Sequence, residues 1–441
     1  MEPFLSELTS RVGSWLKGDG PQSDVVVSTR IRLARNVRAF PFAARMNEER
    51  SEELCELIQA RLKDTPATRG LKFLPLKKTS DVCRDALLER FLISRELASS
   101  RFDRGVSFDD DESVSVMINE EDHLRLQSLR SGLDLQNAFD RMLTVDRALE
   151  ETIEFAYSED LGYLTSCPTN VGTGLRVSVM MHLPGLAMAQ REVKKVFNVA
   201  SRLNLAVRGL HGEGTQASGA FFQVSNQITL GRTERELLED LGDVVPQIVD
   251  FERNVRTKLF ESKSEEMDGR VDAAHELLTS GGAIPVEPAV SALSTLLLAS
   301  SSGRYTKVGR ADLLRWVVTL YPGHVQARAG RRLPAAELDR ERGAYLRSEF
   351  ARAAQATNGK DGGGKEGGRE HGGKDNAKEN GKESRKENGK QGKGARANPN
   401  HERPLRTRVH LSAALRDRPM QSLLHLLQSP RAPARREAHG P

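Results

Sequence analysis

At 441 residues the chain has room for two or three domains, each with a core large enough to fold alone. Its 66 Lys and Arg nearly balance 61 Asp and Glu, and the resulting charge of +5 is too diffuse to argue for a nucleic-acid partner. Cys55, Cys83 and Cys167 form no CxxC pair, the N-terminus lacks a basic start before an apolar core, and no apolar run reaches membrane-span length. Those features argue against a disulfide-stapled secreted domain and a membrane protein, and for a soluble cytoplasmic one.

The first long stretch, residues 1–260, mixes strand and helix patterns. A β-branched run opens at Asp24 and continues through Arg30-Ile31-Arg32-Leu33. Glu48 to Lys63 reads as a helix, and Ser113 to Ile118 alternates with the period of a half-buried strand. Arg176 to His182 and Ala206 to Arg208 are predicted strands, with a helix over Gln190 to Leu203 before the second. Phe221 to Val224 and Ile228 to Leu230 are predicted strands flanking a Ser225-Asn226 turn. Thr233-x-x-Glu236 is a capping box that opens the next helix. Few strands are separated by full crossover helices, which predicts an α+β fold with a largely antiparallel sheet flanked by helices.

Residues 261–356 read as a small all-helical domain, with helices near Val271–Thr279, Val290–Ser300, Ala311–Leu320 and Ala335–Ala351. Gly281-Gly282 and Tyr321-Pro322-Gly323 punctuate them. Residues 357–400 repeat Gly, Lys, Glu and Asn, cannot bury enough surface to offset ordering entropy, and are expected to be disordered. The tail, 401–441, regains apolar spacing from Leu411 to Leu427 around Pro419. It is either a short partner-binding segment or an inert extension.

No GxxxxGK[ST] phosphate loop, protein-kinase HRD or DFG signature, or zinc-spaced cluster is present. Four other blocks carry chemistry, and each has a bland alternative. Arg30 and Arg32 leave one face of a strand, which suits an anion but also a solvated face. Glu120-Glu121-Asp122 follows a strand directly, as an acid cluster aimed into a cleft or as a charged turn. Cys167-Pro168-Thr169-Asn170-Val171-Gly172-Thr173-Gly174 is a glycine-shaped loop whose N–H groups could face an oxyanion, or an ordinary turn. Arg208-Gly209-Leu210-His211-Gly212-Glu213-Gly214 ends a strand in a mobile loop carrying a carboxylate.

Taken together and in order, the four blocks resemble the phosphagen (guanidino) kinase family: S-x-R-x-R, N-E-E-D-H-L-R, C-P-[ST]-N-x-G-T-G-L-R and R-G-x-x-G-E. The resemblance spans about residues 12 to 260. Trp15-Leu16-Lys17-Gly18, Leu88 to Ala98 and Gln223 to Gly231 are most similar to the McsB-type protein arginine kinases, which also carry a C-terminal domain. The family's small-molecule kinases place a helical domain of about a hundred residues before the S-x-R-x-R strand, and this chain has no room for one. That suggests an open site suited to a protein acceptor.

The resemblance implies ATP and Mg²⁺ as cofactors, with Arg30, Arg32, Arg125, Arg176 and Arg208 gripping the phosphates and Ser28 and His123 on the same nucleotide side. It implies Glu121 as the base and Glu213 as its partner clamp on the acceptor guanidinium, with Glu120 and Asp122 in support and Cys167 beside the substrate cation. The chemistry fits, because a guanidinium with a pKa above about 12 must be oriented and deprotonated as it attacks. No protein ligand set for a metal is expected, since Mg²⁺ rides on phosphates and water. Partners implied are protein substrates with exposed arginines, a zinc-binding activator (McsA-like), a Clp unfoldase that degrades the marked proteins in stress response, and a second copy of the chain, without nucleic acid or membrane. Two departures stand out. Phe91 occupies the place of a nucleotide-contacting histidine. In the allosteric phosphoarginine motif of this branch, Asp339 and Arg342 remain but Leu338 replaces the leading arginine, leaving helical i,i+3 charge pairing as the alternative. The competing functions are a small-molecule guanidino kinase and an inactive adaptor.

Overall fold

Strands that alternate a fully apolar face with a polar one must bury the first, and here eight of them do so together. The structure is a computed structural model that describes residues 3–99, 103–209 and 218–361. The strands are β1 (Val26–Arg35), β2 (Lys72–Pro75), β3 (Gly105–Phe108), β4 (Val114–Ile118), β5 (Leu124–Ser131), β6 (Tyr157–Ser158), β7 (Gly162–Tyr163), β8 (Leu175–His182), β9 (Leu205–Gly209) and β10 (Phe221–Asn226). Eight form one sheet in the order β2-β3-β4-β5-β1-β8-β10-β9, every neighbouring pair antiparallel, and β6 pairs with β7 apart from it.

The helices in the first stretch are α1 (Pro3–Ser10), α2 (Glu48–Asp64), α3 (Asp81–Glu89), α4 (Arg95–Ser99), α5 (Leu135–Glu150), α6 (Pro184–Met188), α7 (Gln190–Arg202) and α8 (Glu234–Ser262). One sheet face, with Ile31, Leu33, Leu126, Val177, Val179 and Val224, packs against α2, α5, α7 and α8. The other face is roofed only in part. At the β3–β4 end, Val106 and Met117 are covered by Leu5, Leu87 and Leu97 of α1, α3 and α4. At one end of the central strands, Leu129, Met180 and Phe221 are covered by Trp15 and by the helical module. That module comprises α9 (Ser264–Thr279), α10 (Val286–Ser301), α11 (Arg310–Thr319), α12 (Pro322–Ala329) and α13 (Ala335–Asp361). What stays open is the other end of the central strands. The arginines are there.

A buried brace ties α8 to this sheet and to α10. Glu252 accepts from the backbone N–H of Gly185 and Leu186 at 2.9 and 2.8 Å, and Arg256 donates to Glu252 at 2.6 Å, to the His182 carbonyl at 2.7 Å and to Ser301 Oγ at 2.9 Å.

The antiparallel α+β architecture and the helical module are present, and the Thr233–Glu236 capping box opens α8 with both reciprocal bonds made. Four expectations need correction. β4 is buried throughout rather than half-buried, because α3 and α4 cover its second face and Ser115 accepts a bond from Gln127. Ser225-Asn226 is no turn: β10 runs through it, with the Asn226 side chain bonding to Val177 N and the Leu175 carbonyl, and Ile228–Leu230 is loop. Tyr321-Pro322-Gly323 does not merely punctuate, since Pro322 opens α12, where its missing N–H costs nothing. The backbone of α13 continues to Asp361, past the expected boundary at 356. The rest of the low-complexity stretch and the tail lie outside the described residues. Among those described, no helix is long and apolar enough to cross a membrane.

Candidate active site

Side-chain alternation decides which residues share a face. On β1, residues 28, 30 and 32 point away from the core; on β5 residues 125 and 127, on β8 residues 176 and 178, and on β9 residue 208 do the same. The register then sets Arg32 directly opposite Arg176, with Arg125 opposite Ala34 on the other neighbour and Arg208 opposite Gln223 at the sheet's edge. All five arginines expected to grip phosphate thus stand on one open face.

Like charges in opposed cross-strand positions repel. Burial and the neighbouring Arg176 push Arg30 down to about 10, and burial with Arg30, Arg176 and Arg125 pushes Arg32 well below the arginine range. Arg176 is lowered by burial, Arg208 and Arg125. An arginine in a protein keeps its proton, so the pressure is relieved by an anion rather than by neutralisation. The Nε groups of Arg32 and Arg176 are buried and, among the described residues, have no hydrogen-bond partner. An anion with several acceptor oxygens, such as a polyphosphate, would match these groups in charge and hydrogen bonding.

Arg30 lies at one end of this cage. Its Nη2 donates to Gln223 Oε1 at 2.5 Å and its Nε to Ser178 Oγ at 3.4 Å, while its guanidinium sits 5.8 Å from the Phe91 ring. Ser28 is buried beside Arg30 and Phe91. Phe91 packs edge-on against Trp15, and its carbonyl accepts from Gln127 at 2.7 Å.

Arg125 lies at the other end, gripped by the acid triplet. It donates to Glu120 at 2.9 Å, pairs with Glu121, and stands 3.7 Å from Asp122. The side chains of Glu120 and Asp122 are 0 % exposed and that of Glu121 is 41 % exposed, so Glu121 alone of the three reaches solvent. Burial raises the Glu121 carboxyl, Asp122 and Glu120 raise it further, and Arg125 opposes them. Asp122 ties the acids to the cysteine loop: its Oδ1 accepts from Asn36 Nδ2 and from Ser166 N, both at 2.8 Å.

Cys167, half-buried, follows Ser166, with Sγ 3.0 Å from Thr169 Oγ1. Thr229 donates to the carbonyls of Thr169 and Val171 at 2.9 and 2.7 Å, pinning the loop. Gly172 has φ +110° and lies so close to Thr229 and Leu230 that a Cβ would come within 2.6 Å of the Thr229 carbonyl, which explains the glycine. A cleft of about 480 Å³ opens here, lined by Asn170, Arg176, Arg208, Asn226 and Thr229 among others.

The ATP:guanido phosphotransferase C-terminal catalytic domain matches residues 53–255, and the protein-arginine kinase McsB C-terminal domain matches residues 264–361. The protein-arginine kinase of Symbiobacterium thermophilum is 40 % identical over 350 residues, spanning 78 % of this chain and 99 % of that one. That of Bacillus mycoides is 38 % identical over 345 residues, spanning 78 % and 97 %. The chain belongs to the protein-arginine kinase family. A solved lombricine kinase structure is similar over 57 % of this chain and 71 % of that one, with a TM-score of 0.48 and 27 % identity.

Within this protein-arginine kinase framework not every expected site residue has the expected place. Glu213 lies outside the described residues. His123 is fully buried, with Nδ1 accepting from Val37 N and Nε2 bonded to the Pro41 carbonyl, both at 2.9 Å. No ring nitrogen remains for a nucleotide, and its place is structural. Arg342 is buried, donating to the Leu320 and Ile284 carbonyls at 2.8 and 2.7 Å and pairing with Asp339 at 2.5 Å. The i,i+3 pairing is therefore realised, and the Nε and Nη1 of Arg342 are engaged within the helical module itself.

Sequence reasoning assigned no role to Gln223, which holds Arg30, or to Asn36, which positions Asp122 and accepts from His123 N at 3.0 Å. Gln223 lies in a stretch that carries the resemblance and Asn36 just beyond the S-x-R-x-R motif; only the folded structure shows what they touch.

Proposed function

We propose that this chain transfers the γ-phosphoryl group of ATP to arginine side chains of proteins. The supporting observation is the graded polarity of one sheet face: half-buried arginines at its centre, with the Nε of Arg32 and of Arg176 unpartnered among the described residues, and a solvent-reaching carboxylate near a cysteine loop at one end. In this reading the phosphates lie along Arg30, Arg32, Arg176, Arg125 and Arg208, with the nucleoside toward Ser28 and Phe91. Mg²⁺ bound to phosphate oxygens and water would offset further charge. The acceptor guanidinium enters from the acid end. As its nitrogen bonds to phosphorus and the β–γ P–O bond breaks, Glu121 takes the proton and ADP leaves with the electron pair. Glu120 and Asp122 hold Arg125 and orient the acids, Glu213 would clamp the guanidinium from the opposite side, and Cys167 lies next to it.

Protein substrates follow from this reading. A zinc-binding activator, a Clp unfoldase, a second copy through the helical module and a cytoplasmic setting are proposed on the sequence resemblance. Incubation of the full chain with ATP and either unfolded casein or free arginine, read by phosphosite mass spectrometry at neutral pH, tests the proposal. Phosphoarginine on casein is expected. Phosphate on free arginine alone would sink the protein acceptor, and none on either would sink the kinase reading.

A further inference from the structure

Among the described residues nine large apolar side chains are exposed, and five of them, Tyr157, Leu161, Leu203, Ile228 and Leu230, sit on segments that converge at the acid end of the site. The convergence is built into the backbone. Gly162 packs against Gly172, Gly172 against Thr229 and Leu230, Tyr163 N bonds to the Gly172 carbonyl at 2.8 Å, and Gln227 N to the Asn204 carbonyl at 3.1 Å. Thr229, between Ile228 and Leu230, is the residue that pins the Cys167 loop. The rim is thus continuous with the catalytic loop and fixed relative to it.

Exposed apolar side chains carried on loops held together at a site are candidates for a contact surface. Their position states which one. The arginine cage repels a cation arriving from its side, whereas Glu121 attracts one, so an acceptor arginine reaches the site across the loops that carry this rim. A free amino acid would leave the rim uncovered. A polypeptide would lay the residues flanking its arginine upon it.

We propose that this rim is a specificity surface that reads apolar residues flanking the acceptor arginine in an extended protein segment, resting on the protein-arginine kinase reading above. The occupant is a stretch that a folded substrate would keep buried, with arginine as anchor and a leucine-like neighbour against Leu161, Ile228 and Leu230.

The test uses the full chain and two unstructured peptides that differ only in whether Leu or Ser flanks a single arginine. A preference for the Leu peptide of about tenfold in kcat/KM, equivalent to about 1.4 kcal/mol, is expected. In the double variant Leu161→Ser, Leu230→Ser the preference should vanish while turnover of the Ser peptide is kept. Both substitutions replace exposed side chains, and the Ser peptide reports directly whether the variant still works. Equal wild-type rates on the two peptides, or a preference that survives in the variant, would overturn the rim and leave arginine phosphorylation intact. No phosphoarginine on either peptide would overturn both proposals.

Discussion

Arginines of two kinds, buried and half-buried, occupy two regions of this molecule. Around the framework, Arg35 pairs with Asp146, Arg90 with Glu112, Arg256 with Glu252 and Arg342 with Asp339, each within 2.5 to 2.9 Å, and each also donates to backbone carbonyls. At the sheet's centre the half-buried Arg30, Arg32 and Arg176 have mainly other arginines for charged neighbours, Arg125 and Arg208 among them. A buried ion pair completes itself, whereas a half-buried cation among cations favours the arrival of an anion. In the proposed reading the difference separates arginines that hold the fold from arginines that bind phosphate.

The sharpest way to break this comparison is to truncate one member of each kind. Glu121→Gln, at the acid end, should lower turnover most, by roughly 1,000-fold within the span of lost general-base catalysis, with little change in stability because the side chain is part-exposed. Arg35→Met should leave Asp146 buried without its partner and cost about 3–5 kcal/mol in denaturant unfolding. Arg32→Met should do the opposite. It removes a repelling charge, so the nucleotide-free protein should unfold at equal or higher denaturant, while turnover falls on the order of 100-fold. If Arg32→Met destabilised the free protein as Arg35→Met does, the distinction would be lost.

Legibility in the sequence followed the same divide. Arg30 and Arg32, two apart in a β-branched run, announced a shared face, and the motif order placed Arg125, Arg176 and Arg208 beside them. Their partners were not legible, because strand neighbours far apart in sequence set them: Gln223 reaches Arg30 across 193 residues, and Asp122 reaches Asn36 across 86. The motif position of His123 suggested a nucleotide contact, yet its ring nitrogens serve the Val37–Pro41 backbone. Pro322 was misread for a local reason: Pro marks a break inside a helix and a start at its first position, and only the surrounding packing distinguishes the two.

The smallest expected effect concerns the acid end and is a shift rather than a loss. In the proposed mechanism Glu121 must be ionised to accept the proton, and its carboxyl is raised by burial, Asp122 and Glu120. Activity is therefore present above its folded pKa and falls as pH drops through it. The acid limb of kcat/KM, followed by ADP release, should lie above the ordinary glutamate value of about 4.3. Asp122→Asn keeps an oxygen to accept from Asn36 and Ser166 but removes a like charge, so the limb should move to lower pH. An acid limb that stayed in place in Asp122→Asn would mean that the titrating group is not the one these carboxylates surround.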